Sequence, residues 1–216
     1  MPEAGRVITG SAKGTRLLAP GAGTRPLSDR VKQALFAAAE SELEGSWPVD
    51  VLDLFAGSGA AGIEGLSRGA PRAVFVEHDG GAVAVINENL RRSRLSGGVV
   101  VRRDALRYLA DPGPTPAASG PPFGLVVVDP PYAATADLAA ALERLGDPTA
   151  RWLTAEAVVV AKHFWRHPPP RPSGCLDVLR EKRFGETMLT FYARAAAPSP
   201  TPPSPPAADR QEMSVP

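Results

Sequence analysis

From residue 49 to residue 161 the chain alternates short, continuous apolar runs with longer segments whose apolar positions recur every three or four residues. The runs are residues 49–55 (VDVLDLF), 73–77 (AVFVE), 99–101 (VVV), 125–128 (LVVV) and 157–161 (AVVVA). Runs that are apolar throughout predict strands covered on both faces, as in a parallel sheet. Residues 60–68, 81–94 and 136–145 between them predict helices. Strands alternating with helices predict βαβ units in a doubly wound α/β sheet. The end differs: residues 176–184 and 187–193, divided by Gly185-Glu186, predict an antiparallel hairpin closing one edge. At the start, residues 6–10 and 15–18 predict a small hairpin around Lys13-Gly14. Ser28 is placed to cap a helix from Asp29 to about Glu42, with Val31, Leu35, Phe36 and Ala39 on one face. The expected division is an N-terminal hairpin and helix extension (1–45), a main domain (46–195) and a tail (196–216).

Composition changes this picture in two places. The chain has 216 residues, 44% hydrophobic and 22% charged, which is ordinary globular usage. No stretch approaches the roughly 18–20 apolar residues that span a bilayer, and residues 1–9 have no apolar signal core. The expectation is a soluble cytoplasmic protein, without membrane contact and monomeric. Cys175 is the one cysteine, so an internal disulfide is excluded, and His78, His163 and His167 have no metal-ligand spacing with it. Proline is the first departure, with 24 residues, seven of them from Pro198 onward. That tail predicts disorder, and the Pro-rich segments 111–122 and 167–174 predict inserted loops. The second departure is local charge. The whole chain is +1, yet from Glu3 to Lys32 six cations (Arg6, Lys13, Arg16, Arg25, Arg30, Lys32) face two acids. A second basic group is Arg91, Arg92, Arg94, Arg102 and Arg103. Such clusters fit a polyanion such as nucleic acid, or an ordinary solvated surface.

Two motifs carry chemistry. Asp53-Leu54-Phe55-Ala56-Gly57-Ser58-Gly59 closes the first long run and opens a helix. A glycine turn there brings backbone N–H groups and a helix N-terminus against a ligand. Glu77 ends the next run, where a carboxylate can accept both hydroxyls of a ribose. Residues 57–62 also satisfy GxGxxG, so a nicotinamide dinucleotide is one reading. The other is S-adenosylmethionine, whose ammonium suits Asp53, an acid that would repel a diphosphate. The second motif, Asp129-Pro130-Pro131-Tyr132, follows LVVV. Two prolines fix the backbone and remove two donors. They leave a carboxylate, carbonyl oxygens and an aromatic ring. That set suits an exocyclic nucleobase amine: Asp129 and the Pro130 carbonyl accept its hydrogens, and Tyr132 stacks on the base.

Phe-Ala-Gly-Ser-Gly followed by Asp-Pro-Pro-Tyr resembles the amino-methyltransferases of DNA and RNA. Residues 25–32 (RPLSDRVK) leading to Leu35-Phe36, residues 61–70 (AGIEGLSRGA) and the late Phe184-Gly185-Glu186-Thr187 narrow the resemblance to the RsmD family of 16S ribosomal RNA guanine-N2 methyltransferases, over about residues 6–192. The resemblance implies a Rossmann-like class I S-adenosylmethionine-dependent fold, a seven-stranded mostly parallel sheet with a C-terminal antiparallel hairpin and a small N-terminal extension. It implies methyl transfer to N2 of guanine 966 in the small ribosomal subunit or a late assembly intermediate. Adenine-N6 methylation by the same motif stays open. Carried over by position, the cofactor set is Asp53, Phe55, Ala56, Gly57, Ser58, Gly59, Glu77, His78, Asp104, Ala105, Arg25 and Ser28. The catalytic set is Asp129 to Tyr132, and the RNA-facing set is Arg6, Lys13, Arg16, Arg30 and Lys32. The chain departs from the family at Leu27, where Thr is usual, and in the fifth run, where Val160-Ala161-Lys162-His163 stands in place of a Glu-bearing segment. No role is assigned to Lys162.

Overall fold

The computed structural model describes residues 3–21, 27–110, 122–170 and 174–194. Arg25, residues 111–121 and the expected tail lie outside the described residues. The chain begins with β1 (Glu3–Arg6) and β2 (Arg16–Leu18), an antiparallel pair, and then α1 (Asp29–Glu42). The main unit runs β3 (Val51–Leu54), α2 (Ala60–Ser67), β4 (Ala73–Glu77), α3 (Gly80–Ser93), β5 (Gly98–Arg102), α4 (Ala105–Leu109), β6 (Phe123–Val128), α5 (Thr135–Gly146), β7 (Leu153–Phe164), β8 (Leu176–Phe184) and β9 (Thr187–Arg194). Its seven strands are ordered β5-β4-β3-β6-β7-β9-β8. β3 to β7 are parallel, and β9 inserts antiparallel between β7 and β8. The fold is therefore the doubly wound sheet with a C-terminal hairpin that the apolar pattern predicts.

The pattern builds two cores. Successive strand residues point to opposite faces. Val51, Phe75, Val127 and Val160 pack with Leu35 and Phe36 of α1, Ile63 of α2 and Ile86 of α3. Leu52, Leu54, Val76 and Val128 pack on the other face with Leu138, Leu142 and Leu145 of α5. From β3 the chain steps outward to β5, then returns to lay β6 on the opposite side. The reversal between β3 and β6 opens a crevice at their carboxyl ends, the usual binding place in such sheets.

Three elements differ from expectation. β7 covers twelve residues rather than 157–161, because β9 pairs with its end. Lys162, His163 and Phe164 pair with Leu189, Met188 and Thr187, so polar residues that read as a strand end continue the ladder. The five-residue α4 was not apparent in the pattern and is nucleated by Asp104, which caps it. The first N-terminal strand, β1, sits earlier than the expected 6–10, while β2 lies within 15–18, because residues 7–15 form a loop docked on α2. Ser11 donates to the Ser67 carbonyl at 2.8 Å, and a Cβ at Gly10 would lie 1.6 Å from that oxygen.

Buried polar groups hold this extension down. Glu64 accepts the N–H groups of Ile8 (2.8 Å) and Thr9 (3.0 Å) and pairs with Arg68 at 2.8 Å. Lys32 is wholly buried, donates to the Arg6 carbonyl at 2.6 Å and lies 4.0 Å from Glu64. This corrects its expected place among the RNA-facing cations: its ammonium is spent on internal carbonyl and carboxylate partners. Asn89 of α3 accepts from the Leu18 N–H (2.8 Å) and donates to the carbonyls of Leu18 (3.0 Å) and Ser58 (2.9 Å). It ties β2 to the glycine loop. Asn89→Ala removes the side-chain partner of three backbone groups, the buried Ser58 carbonyl and the half-buried N–H and carbonyl of Leu18. It is expected to lower unfolding free energy by about 2–4 kcal/mol in chemical denaturation; a loss within about 0.5 kcal/mol would contradict this bridge.

Candidate active site

The end of β3 turns through backbone that few residues adopt. Phe55 has φ 59°, Gly57 53° and Gly59 74°. Strain of this kind at a non-glycine residue collects at ligand sites. Gly59 begins α2, and Gly62 lets α2 lie on β4, since a Cβ there would meet the Phe75 ring at 2.3 Å. Two carboxylates fix the turn. Asp53 accepts from the Gly62 N–H at 2.8 Å, and Glu77 accepts from Gly57 and Asp79, each at 2.9 Å. Glu77 thus sets the glycine loop as well as facing the crevice, with the His78 imidazole 3.1 Å away.

Across the crevice, β6 ends at Asp129. Val128 pairs with Ala161, so the next residues on both strands, Asp129 and Lys162, stand side by side. The Lys162 ammonium donates to Asp129 Oδ1 at 2.5 Å and lies 5.1 Å from the centre of the Tyr132 ring. Tyr132 is fixed from behind by a 2.6 Å hydrogen bond between its hydroxyl and that of Thr187. The Pro131 carbonyl closes the turn by accepting from Ala134 at 2.8 Å.

These groups meet in one cleft of about 520 Å³. Asp53, Phe55, Ala56, Gly57, Ser58, Glu77 and His78 form one wall, and Asp129, Pro130, Pro131, Tyr132 and Lys162 the other. Ala19, Pro20 and Gly21 close its edge from the N-terminal extension. Gly59 stands behind the lining, at the start of α2. Of the other expected cofactor residues among those described, Asp104, Ala105 and Ser28 do not line the cleft. Asp104 is exposed and spends its carboxylate on the Arg107 N–H at 2.9 Å, and Ala105 is buried in the α4–α5 core. Ser28 caps α1, accepting from Val31 at 3.4 Å, and faces a neighbouring pocket. Of the expected RNA-facing set, Arg6 pairs with Asp29 and Arg16 with Glu3, both at the surface, while Lys13 and Arg30 are exposed.

Sequence reasoning missed Lys162, Thr187 and Asn89. The signal for Lys162 was present: it follows the fifth apolar run by one residue, as Asp129 follows the fourth. In a parallel sheet those positions are neighbours.

The charge of the cleft decides between the two cofactor readings. Among the described residues, Asp53, Glu77, Asp79 and Asp129 line it against one ammonium, Lys162. Burial pushes the Asp53 carboxyl up to about 8, and the nearby Asp129 and Glu77 carboxylates push the same way against the Gly62 hydrogen bond. A carboxyl in that state calls for a cation. S-adenosylmethionine brings an ammonium that favours the ionised form of Asp53, together with a sulfonium, whereas a dinucleotide leaves Asp53 without a cationic partner and sets two phosphates against the Glu77 and Asp79 carboxylates. With the dinucleotide set aside, fold and cleft define a Rossmann-like class I S-adenosylmethionine-dependent methyltransferase.

Comparison with known proteins narrows the class. The family model described as Conserved hypothetical protein 95 matches residues 5–193, and the chain belongs to that family, the RsmD family its motifs resemble. It is 32% identical over 198 residues to Ribosomal RNA small subunit methyltransferase D of Escherichia coli (strain K12), covering 88% of this chain and 90% of that one. It is 35% identical over 191 residues to YlbH of Bacillus subtilis (strain 168), which is named as a candidate rRNA methyltransferase; 88% of this chain and 98% of that one are covered. Among solved structures, yhhF from Escherichia coli superposes with a TM-score of 0.73 at 32% identity, over 89% of this chain and 98% of that one. SMU.776, solved complexed with SAH, shares the fold at 12% identity, with a TM-score of 0.57 over 73% of this chain and 48% of that one.

Proposed function

We propose that this protein transfers a methyl group from S-adenosylmethionine to the exocyclic N2 of guanine 966 in 16S rRNA of the small ribosomal subunit. The observation that carries this reading is one cleft lined both by the Asp53 glycine loop and by Asp129-Pro130-Pro131-Tyr132. The name and 32% identity of the Escherichia coli relative support an rRNA substrate.

When bound, S-adenosylmethionine supplies an electrophilic methyl on a cationic sulfur. The chain supplies the rest. Glu77 takes the ribose hydroxyls, and Asp53 takes the ammonium. Asp129 and the Pro130 carbonyl accept the N–H groups of the target amine and turn its lone pair toward the methyl. Tyr132, held by Thr187, stacks on the base plane. Alignment of this kind accounts for about 7–11 kcal/mol of barrier in favourable cases. Asp129 also stabilises the positive charge that develops on nitrogen. The protein acts as a monomer in the cytoplasm, on small subunits or a late assembly intermediate. The test is incubation with small subunits lacking the modification, followed by nucleoside analysis. N2-methylguanosine at position 966 is expected; N6-methyladenosine would move the activity to the adenine reading.

The buried Asp53 gives a pH signature. Its carboxyl titrates near 8 in the ligand-free protein, and a bound ammonium lowers that value. Binding below pH 8 therefore releases a proton, and affinity rises as pH climbs. Calorimetry is expected to show Kd for S-adenosylmethionine falling by up to about tenfold per pH unit between about pH 6 and 8, then flattening. Asp53→Asn abolishes the slope. A flat wild-type profile would remove Asp53 from the ammonium site.

A further inference from the structure

Beside the methyl-transfer cleft, and sharing Tyr132 and Lys162 with it, lies a second pocket of about 440 Å³. Its walls come from the start of α1 and from the β8–β9 turn. Four cations line it, Arg30, Lys162, Lys182 and Arg183, and among the described residues no carboxylate does. Arg30 and Lys182 approach the ring of Phe184, at 6.0 and 5.6 Å from its centre. The surface continues outward from there. Arg183 donates to the Gly185 carbonyl at 2.9 Å and lies 3.7 Å over the Trp165 ring, which Arg166 also approaches at 4.9 Å. Phe164 sits between Trp165 and Tyr132, with centroid separations of 6.4 and 6.1 Å. The aromatic row therefore starts at the target-base ring and runs away from it, edged by arginines.

Cations interleaved with aromatic rings are how single-stranded nucleic acid is held, phosphates on the cations and bases on the rings. The N-terminal cations offer less: Arg6 and Arg16 are matched by Asp29 and Glu3, and Lys32 is internal. We propose that this pocket, with the end of β7, docks the single-stranded RNA next to the target base. Arg30 and Lys182 hold the phosphate adjoining the target nucleotide, and the Arg183 guanidinium, laid on the Trp165 ring, presents the plane on which the neighbouring base stacks. The proposal rests on the rRNA reading above and moves the RNA-docking face from the N-terminal hairpin to the C-terminal one.

The test compares Lys182→Ala/Arg183→Ala with Arg92→Ala/Arg94→Ala, which removes two cations of the other basic cluster, at the end of α3. A fluorescein-labelled single-stranded RNA oligonucleotide reports affinity by anisotropy across a salt series, and small subunits report KM and kcat. The first variant is expected to weaken RNA binding at least about tenfold and to reduce the slope of log affinity against log salt by about 0.7, the value of one phosphate contact. KM rises, while kcat at saturating substrate and S-adenosylmethionine affinity stay within about twofold of wild type. Trp165→Ala weakens binding about tenfold with the salt slope unchanged, as loss of stacking without charge requires. Wild-type RNA affinity in the first variant, or equal losses in both double variants, overturns the proposal. Failure of the wild-type protein to methylate small subunits overturns the rRNA reading instead, and oligonucleotide binding still decides the docking face.

Discussion

Replacing Asp129 by Ala is expected to lower kcat for methyl transfer by about 10²–10³-fold while S-adenosylmethionine affinity stays within about threefold of wild type. The reason is geometric. Asp129 stands on the β6 wall, apart from the Asp53 and Glu77 carboxylates assigned to the cofactor. Its loss removes an acceptor for the target amine and the charge that steadies the developing cation. It also strands Lys162, which is 7% exposed and loses its 2.5 Å partner. Asp129→Asn is therefore the necessary companion. It keeps one oxygen, which Lys162 takes, but removes the charge and puts an NH2 donor where the amine needs an acceptor, so it folds as wild type while kcat falls about as far as in Asp129→Ala. Near-normal turnover in either variant would remove Asp129 from the reaction.

Lys162→Met is expected to reduce activity at pH 7 by about 10–100-fold and to return much of it as pH rises. Burial pushes the Asp129 carboxyl up, and the Lys162 ammonium, by charge and hydrogen bond, pulls it back. Without the ammonium only the upward push remains. The protonated form of Asp129, which presents a donor where the amine needs an acceptor, is then favoured. Activity is therefore lost as pH falls, and the rising limb of the kcat profile moves toward alkali. Lys162→Arg restores the limb close to its wild-type place. A lower kcat with an unmoved limb would reduce Lys162 to packing. The Tyr132 ring, 5.1 Å from the ammonium, adds a separate effect on base stacking, seen in KM rather than in the pH profile.

Much of this was legible along the chain because the cores are built from simple patterns. The apolar runs of β3, β4 and β6 are strands covered on both faces as they read, whereas the Val99–Val101 run is the edge strand β5 and leaves Val99 47% exposed; β4 and α1 start and end where their apolar pattern and Ser28 cap say. Asp129 to Tyr132 could be read because two prolines leave the backbone so few options. What escaped depends on pairing between distant segments. The extra length of β7 is written in β9, where Leu189 and Met188 provide the ladder for Lys162 and His163. Thr187 gains its role only when the hairpin brings it to the Tyr132 hydroxyl. Lys32 read as a surface cation because nothing near it in sequence shows Glu64 and the Arg6 carbonyl closing over it. Asp104 fits the cofactor set by position, but it stands exposed with Oδ1 capping α4 and is not among the residues that line the cleft.

The most direct measurement is a crystal structure of the protein with S-adenosylmethionine. The account predicts the ammonium on Asp53, the ribose on Glu77 and the methyl aimed into the space bounded by Asp129, Pro130 and Tyr132. A methyl pointing away from that tetrapeptide, or a cofactor seated outside the β3–β6 crevice, would contradict it.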